Sequence, residues 1–344
     1  MRMSRQGSLP LGVLDQSPVP SGTTAGEALR NSIDLAVLAE QLGYHRYWVA
    51  EHHATTALAG SSPEILIGQI AAATSHMRVG SGGVMLSHYS ALKVAENFRV
   101  LHALFPGRID LGLGRAPGGD QLTALALRPE HELPGEHEFP RQLAELVGFL
   151  EDGFDPDHPF SRIKVTPMAP GGPEVWLLGS TNFSAAYAAH LGLPFCFAHF
   201  INPAEGEAIA ASYRANFQPS DAHPEPQLAV AATVVCADDD EEAERQAAPM
   251  RLWRLRLMTT GRPGAIPTVD EALSHAFSPA ELDLLARQQN RAIVGGPQVV
   301  RTRIEELVEA FGADEAVLVT ITHDHQARRR SYELVAKQFD LTTG

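Results

Sequence analysis

The chain repeats one pattern: a short apolar run, a polar or glycine-rich turn, then a longer stretch with apolar positions at helical spacing. Residues 11–15 form the first run, and Leu29, Ile33, Ala36 and Val37 mark one face of a helix over 27–42 that Gly43 ends. A second strand ends at Glu51, His52 and His53, and Pro63 opens a helix over 64–74, where proline at the first position has no donor to lose. Strands over 77–86 and 108–115 flank a helix over 91–104. Runs at 175–178, 195–200, 228–236 and 316–320 complete eight strand candidates. Helical patterns follow at 141–150, 184–191 and 204–216, along Val300, Ile304, Leu307 and Val308, and at 327–339. The acidic run 238–242 opens one more helix, where the dipole favours carboxylates.

The pattern fails twice. Residues 116–137 carry Pro117, Gly118, Gly119, Pro129, Pro134 and Gly135, and residues 259–296 carry Gly261, Pro263, Gly264 and Pro267. Long structureless loops in a compact domain are usually functional or mobile, so the first is expected to cover a site. Strand and helix in alternation imply parallel neighbours, because crossover helices are how such strands connect. The expected fold is α/β, a TIM (β/α)8 barrel in one domain over residues 1–344, with excursions after strand four and before the last βα unit. A doubly wound sheet is the rival, since Gly112 to Pro117 resembles the dinucleotide fingerprint. The third glycine is replaced by Pro117, however, no helix follows promptly, and the strand is the fourth.

Composition narrows the function. With 344 residues, 44% hydrophobic and 20% charged, the chain has ordinary globular composition and ample length for one barrel. Its 27 basic against 41 acidic residues give −14, which repels a phosphate backbone, so no nucleic-acid partner is expected. Residues 1–10 lack the apolar stretch of a signal peptide, and no run of about 18 apolar residues occurs. A cytoplasmic protein with no membrane partner is the expectation. Cys196 and Cys236 sit in apolar runs without zinc-type spacing and read as small buried hydrophobes.

Three consecutive strands, the second to the fourth, end in polar residues or glycine, and in a parallel barrel the carboxyl ends of the strands build the active site. The passages 47–53, 77–86, 105–120 and 176–194, with 295–300 and 323–328, resemble in collinear order the bacterial luciferase-like family of flavin-dependent monooxygenases, group-one members above all. The resemblance implies a luciferase-like barrel that binds reduced FMN and uses O2 to oxidise a small organic substrate. Such enzymes are usually homodimers supplied by a separate flavin reductase.

His52 then occupies the position of the family's catalytic histidine, and an imidazole can donate or accept a proton near neutral pH. Ser81, Gly82 and Gly83 interrupt a strand of larger residues, as close backbone approach to a flat ring requires, and the resemblance places a cis peptide at Gly82-Gly83. Arg115 presents a planar guanidinium suited to a phosphate. Gly179 and Ser180 precede a helix whose free N–H groups attract an anion, and Ser184 adds a hydroxyl. No metal ligands are assigned.

Plainer readings exist for each of these: Arg115 pairing with Asp110 or Asp120, N-capping by Ser180 or Asn182, a bulge at the glycines, and a structural hydrogen-bonding role for either histidine, one of them oriented by Glu51. Gly114 stands where the luciferase has a reactive cysteine, which speaks against light emission and a long-chain aldehyde substrate. Three other functions stay open. They are a deazaflavin (F420)-dependent reductase on the same barrel, a flavin-binding protein without turnover, and a metal-dependent hydrolase using Glu51, His52, His53, His323 and His325.

Overall fold

A computed structural model describes residues 9–115, 118–128, 138–151, 153–287 and 291–342. Its strands are β1 (Leu11–Asp15), β2 (Arg46–Val49), β3 (Arg78–Met85), β4 (Ile109–Gly114), β5 (Glu174–Gly179), β6 (Phe195–Ala198), β7 (Leu228–Cys236), β8 (Ala292–Gly295) and β9 (Glu315–Val319). All pair in parallel. Of the nine strands, β8 lies outside the ring, and the other eight close into a barrel through β6–β7, β7–β9 and β9–β1 pairing. The expected TIM barrel is therefore present.

The strand at Ala292–Gly295 was not among the eight candidates. It continues the place of β6: Phe195–Ala198 pairs with β7 as far as Ala231, and Ala292–Gly295 takes the same edge from Thr233 onward. β7 can be this long because it is buried along its whole length, as a strand covered on both faces should be.

The excursions hold more structure than the broken pattern suggested. Residues 116–117 and 129–137 of the expected cover lie outside the described residues, but a helix Gln121–Leu127 stands between them, capped by the Asp120 side chain. This segment is tied to the carboxyl end of the barrel, where the His53 N–H donates to the Gly118 carbonyl at 2.9 Å. The second excursion holds helices Val269–Ser274 and Pro279–Ala286. It reaches β1's loop through the Ile266 N–H to the Val19 carbonyl, 2.9 Å, and Ile266 is fully buried with the barrel interior.

The amino end of the barrel is plugged by charge. Arg46 lies between Asp110, 2.6 Å away, and Glu315, 2.9 Å away, and the Trp48 indole donates to Asp110 at 2.8 Å. Burial lifts the Glu315 carboxyl to about 6 even beside Arg46. Such a network leaves only the carboxyl end open to a ligand. Among the described residues no helix is long and apolar enough to cross a membrane.

Candidate active site

A cavity opens at the carboxyl ends of the strands, the end of a parallel barrel where sites are built. Its inner wall is apolar: Leu14, Trp48, Ala231 and Val317 point inward from β1, β2, β7 and β9. Trp48 is fixed edge-on against Trp176, with ring centres 5.4 Å apart. Its other side is polar, made by Arg115 beyond β4 and by Gly179, Ser180, Thr181 and Ser184 around the end of β5.

The polar side suits an anion. Helix Asn182–Leu191 begins at Thr181, whose side chain makes no capping bond, so the helix start is not capped in the way the plainer reading of Ser180 and Asn182 offered. The first-turn N–H groups keep their donors, and the helix dipole adds positive potential there. Gly179 is required by the approach of Ser184, because a Cβ at 179 would lie 2.5 Å from the Ser184 Oγ. Arg115 is exposed, with its Cζ 4.2 Å from the centre of the Phe183 ring. Neither suggested carboxylate takes it. Asp110 belongs to the plug at the other end of β4, and Asp120 caps its own helix through the Thr123 N–H at 2.8 Å.

Gly82 and Gly83 form the wall between these two regions, and the peptide bond joining them is cis. The β3–β4 register also shifts between Gly82 and Val84, an irregularity at the place where a bulge was the alternative. Added Cβ atoms would lie 2.4 Å from Leu14 Cδ1 at Gly82 and 2.6 Å from the Gly112 carbonyl at Gly83. At Gly114 a Cβ meets nothing nearer than Met85 Sδ at 3.4 Å, so that glycine is not forced by packing.

Six of the eight expected site residues thus share one cavity: Gly82, Gly83, Arg115, Gly179, Ser180 and Ser184. Ser81 is not part of the wall. It is buried, and its hydroxyl donates to the Gly112 carbonyl at 2.8 Å, pinning β3 to β4. His52 does not line the cavity either. Its backbone N–H donates to the Gly60 carbonyl at 2.7 Å, while its buried Nδ1 has no partner among the described residues. Burial, helped by neighbouring His53, pushes its imidazole down to about 4, so the ring is neutral at pH 7.

Glu51 orients the other histidine. Its Oε1 meets His53 Nε2 and the Tyr89 hydroxyl, both at 2.6 Å, and its Oε2 accepts from the Met85 N–H at 2.9 Å. His323 bonds the Ser21 carbonyl at 3.1 Å and His325 bonds Asp34 at 2.8 Å, so the two histidines have different partners. Among the described residues no cluster of three or more ligating side chains is placed to hold a metal.

Sequence reasoning missed Trp48, Ala231 and Val317, which look like core in any apolar run. Alternation along strands buried on both faces was the available signal. It also missed Phe183, although that residue lies between Asn182 and Ser184.

The family model described as luciferase-like monooxygenase matches residues 9–315. A luciferase-like monooxygenase of Escherichia coli (strain K12) is 40% identical over 95% of this chain and 96% of its own. The N-acetyl-S-alkylcysteine monooxygenase of Bacillus subtilis (strain 168) is 37% identical over 95% of this chain and 97% of its own. The solved apo structure of MsnO8 superposes with a TM-score of 0.89 at 44% identity, covering 97% of this chain and 99% of that one. More distant solved structures share the fold: the oxygenating constituent of 3,6-diketocamphane monooxygenase in complex with FMN, at 20% identity, and an F420-dependent secondary alcohol dehydrogenase, at 14%, each with a TM-score of 0.71.

Proposed function

The chain belongs to the luciferase-like monooxygenase family, and from that premise we propose that it uses reduced FMN and O2 to oxidise a small organic substrate. One observation carries this reading: a cavity that pairs a guanidinium and an uncapped helix start at one side with a glycine wall and an apolar interior at the other. A flat, phosphorylated cofactor has the same two characters.

Arg115, the backbone of Gly179 and Ser180, and Ser184 hold the phosphate in this reading, while Gly82 and Gly83 leave room for a ring. Bound reduced FMN supplies the two electrons with which O2 is activated. Leu14, Trp48 and Val317 keep water from that region, and the neutral imidazole of His52, which stands outside the cavity lining, would handle a proton only through an intervening group. Ser81 acts at one remove, through Gly112.

The supply of reduced FMN by a separate flavin reductase belongs to the same proposal. So does a homodimer, for which the exposed apolar side chains of Ile65 on helix Pro63–Ala73 and of Val100 and Leu104 on helix Ala91–Leu104 offer a surface. Light scattering at micromolar concentration gives the mass that decides it.

The deciding experiment is an anaerobic titration with reduced FMN, oxidised FMN and reduced F420 in parallel. Tight binding of reduced FMN alone supports the proposal. Binding of F420 without FMN moves the chain to the reductases, and stoichiometric zinc after purification moves it to the hydrolases. The similarity to an N-acetyl-S-alkylcysteine monooxygenase makes small thioethers the first substrates to assay.

A further inference from the structure

Beyond the cavity wall stands a second cationic group that the proposed reaction does not use. Arg254, on helix Asp240–Thr260, donates from Nη2 to the Thr233 hydroxyl at 2.7 Å, and among the described residues no carboxylate pairs with it. Burial, with the Arg291 guanidinium alongside, pushes it down to about 10. Among the described residues no carboxylate pairs with Arg291 either, and its buried Nε has no acceptor among them.

Register shows where these groups meet. Ala229 and Ala231 face the barrel interior, and Ala231 lines the cavity. Thr233 is the next residue on that face of β7, about 7 Å farther toward the carboxyl end at roughly 3.3 Å per residue. Its partner across the sheet is Ala292, so Arg291 is bonded directly to the residue beside Thr233. Trp253 precedes Arg254 on the helix. Its ring packs in the same interior cluster as Leu14, Trp48 and Val317, and its buried Nε1 has no acceptor among the described residues.

Two guanidiniums, one hydroxyl and one indole therefore lie on the β7 side, beyond the cavity lining at Ala231, and two of their N–H donors have no acceptor among the described residues. The polar side proposed for phosphate is on β4 and β5. Like charges are not kept together and desolvated without a cost, and a buried donor left unmatched costs about 1–3 kcal/mol. A ligand with a charged, acceptor-only group relieves both.

We propose that Arg254, Arg291 and Thr233 form a carboxylate-binding subsite, so that the substrate oxidised in this cavity is a small organic acid anchored by its carboxylate at the β7 side. The assignment rests on the preceding reading, in which the cofactor's phosphate lies at Arg115. A planar carboxylate matches the two-pronged guanidinium.

Calorimetric titration of the full chain with benzoate, benzamide and benzenesulfonate tests it, alongside anaerobic titration with reduced FMN. Expected is at least a tenfold preference for benzoate over benzamide in the wild type and in Arg115→Ala, lost in Arg254→Gln and partly restored in Arg254→Lys. Reduced FMN should weaken in Arg115→Ala and not in Arg254→Gln. Equal binding of benzoate and benzamide by the wild type overturns the subsite, with no variant needed. So does a benzoate preference that vanishes with Arg115 and survives Arg254→Gln. Tighter binding of benzenesulfonate than of benzoate overturns the carboxylate class. Loss of reduced FMN in Arg254→Gln, with retention in Arg115→Ala, puts the phosphate at β7 and overturns both readings. A benzoate preference that follows Arg254 in a protein that ignores reduced FMN supports the subsite and sinks the flavin reading alone.

Discussion

The guanidinium of Arg115 stacks on the ring of Phe183, 4.2 Å from its centre, and Phe183 is the second residue of the helix whose start faces the cavity. One aromatic ring thus fixes the spacing between two sources of positive potential. Arg115→Ala should weaken reduced FMN by about 1.5–3 kcal/mol, the worth of hydrogen bonds to a charged group. Phe183→Ala removes only the support and should cost about 0.5–1 kcal/mol. Anaerobic titration of both variants checks the order, and an unchanged dissociation constant in Arg115→Ala places the phosphate elsewhere.

Gly83→Ala should destabilise the barrel more than Gly114→Ala. A Cβ at 83 would lie 2.6 Å from the Gly112 carbonyl and 2.7 Å from Leu178 Cδ1, whereas at 114 it meets only the end of Met85 at 3.4 Å. Overpacking of the first kind typically costs about 1–3 kcal/mol. Thermal unfolding of the two variants side by side measures the difference, and a Gly114→Ala variant that melts first contradicts it.

The barrel is legible in the sequence because its strands and helices carry local signals that agree with the tertiary fold. The run at 228–236 and the helical pattern at 91–104 end where β7 and helix Ala91–Leu104 end. The strand Ala292–Gly295 is not legible: four residues beside glycines say little until the free edge of β7 is known. The helix Pro279–Ala286 hid in a loop-like composition although Ser278 and Glu281 spell out a capping box.

In the site, residues that break a pattern were readable, as Gly82, Gly83, Arg115 and Gly179 do. Ser81 was grouped with them, but adjacent strand residues point to opposite faces. Arg254 escaped for a related reason. Among the arginines of helix Asp240–Thr260 it looks like part of a solvated face, and only its contact with Thr233 separates it from them.

The His52 imidazole has a pH consequence of definite sign. Its folded value is about 4 against an ordinary 6.5, because burial and His53 disfavour the cation. The contribution to stability is therefore present above pH 6.5 and lost as the pH falls from there toward 4. His52→Gln should flatten the unfolding free energy across that window, and urea titrations at pH 7 and pH 5 measure it. In the same variant, loss of turnover with reduced FMN still bound would assign the proton to His52. Unchanged turnover would leave it a structural group.

Arg328 and Asp15 tie the last helix to the first strand, with Nη2 2.5 Å from Oδ1 and both side chains buried. Burial alone would raise the Asp15 carboxyl. Arg328 and the hydroxyls of Ser32 and Tyr47 outweigh it and hold the carboxyl below its usual value. The sign of the linkage follows: this stabilisation is present above the ordinary carboxylate value and is lost as the pH falls below it. Asp15→Ala strands a guanidinium whose other acceptor among the described residues is the Thr320 carbonyl, 2.9 Å away. Removing one partner of a buried pair typically costs about 3–5 kcal/mol. Replacing both, as Asp15→Leu with Arg328→Met, should cost less than Asp15→Ala alone, because no charge is then left buried. Urea unfolding of the three proteins decides the matter, and a double variant weaker than the single one would show that the pair contributes net stability of its own.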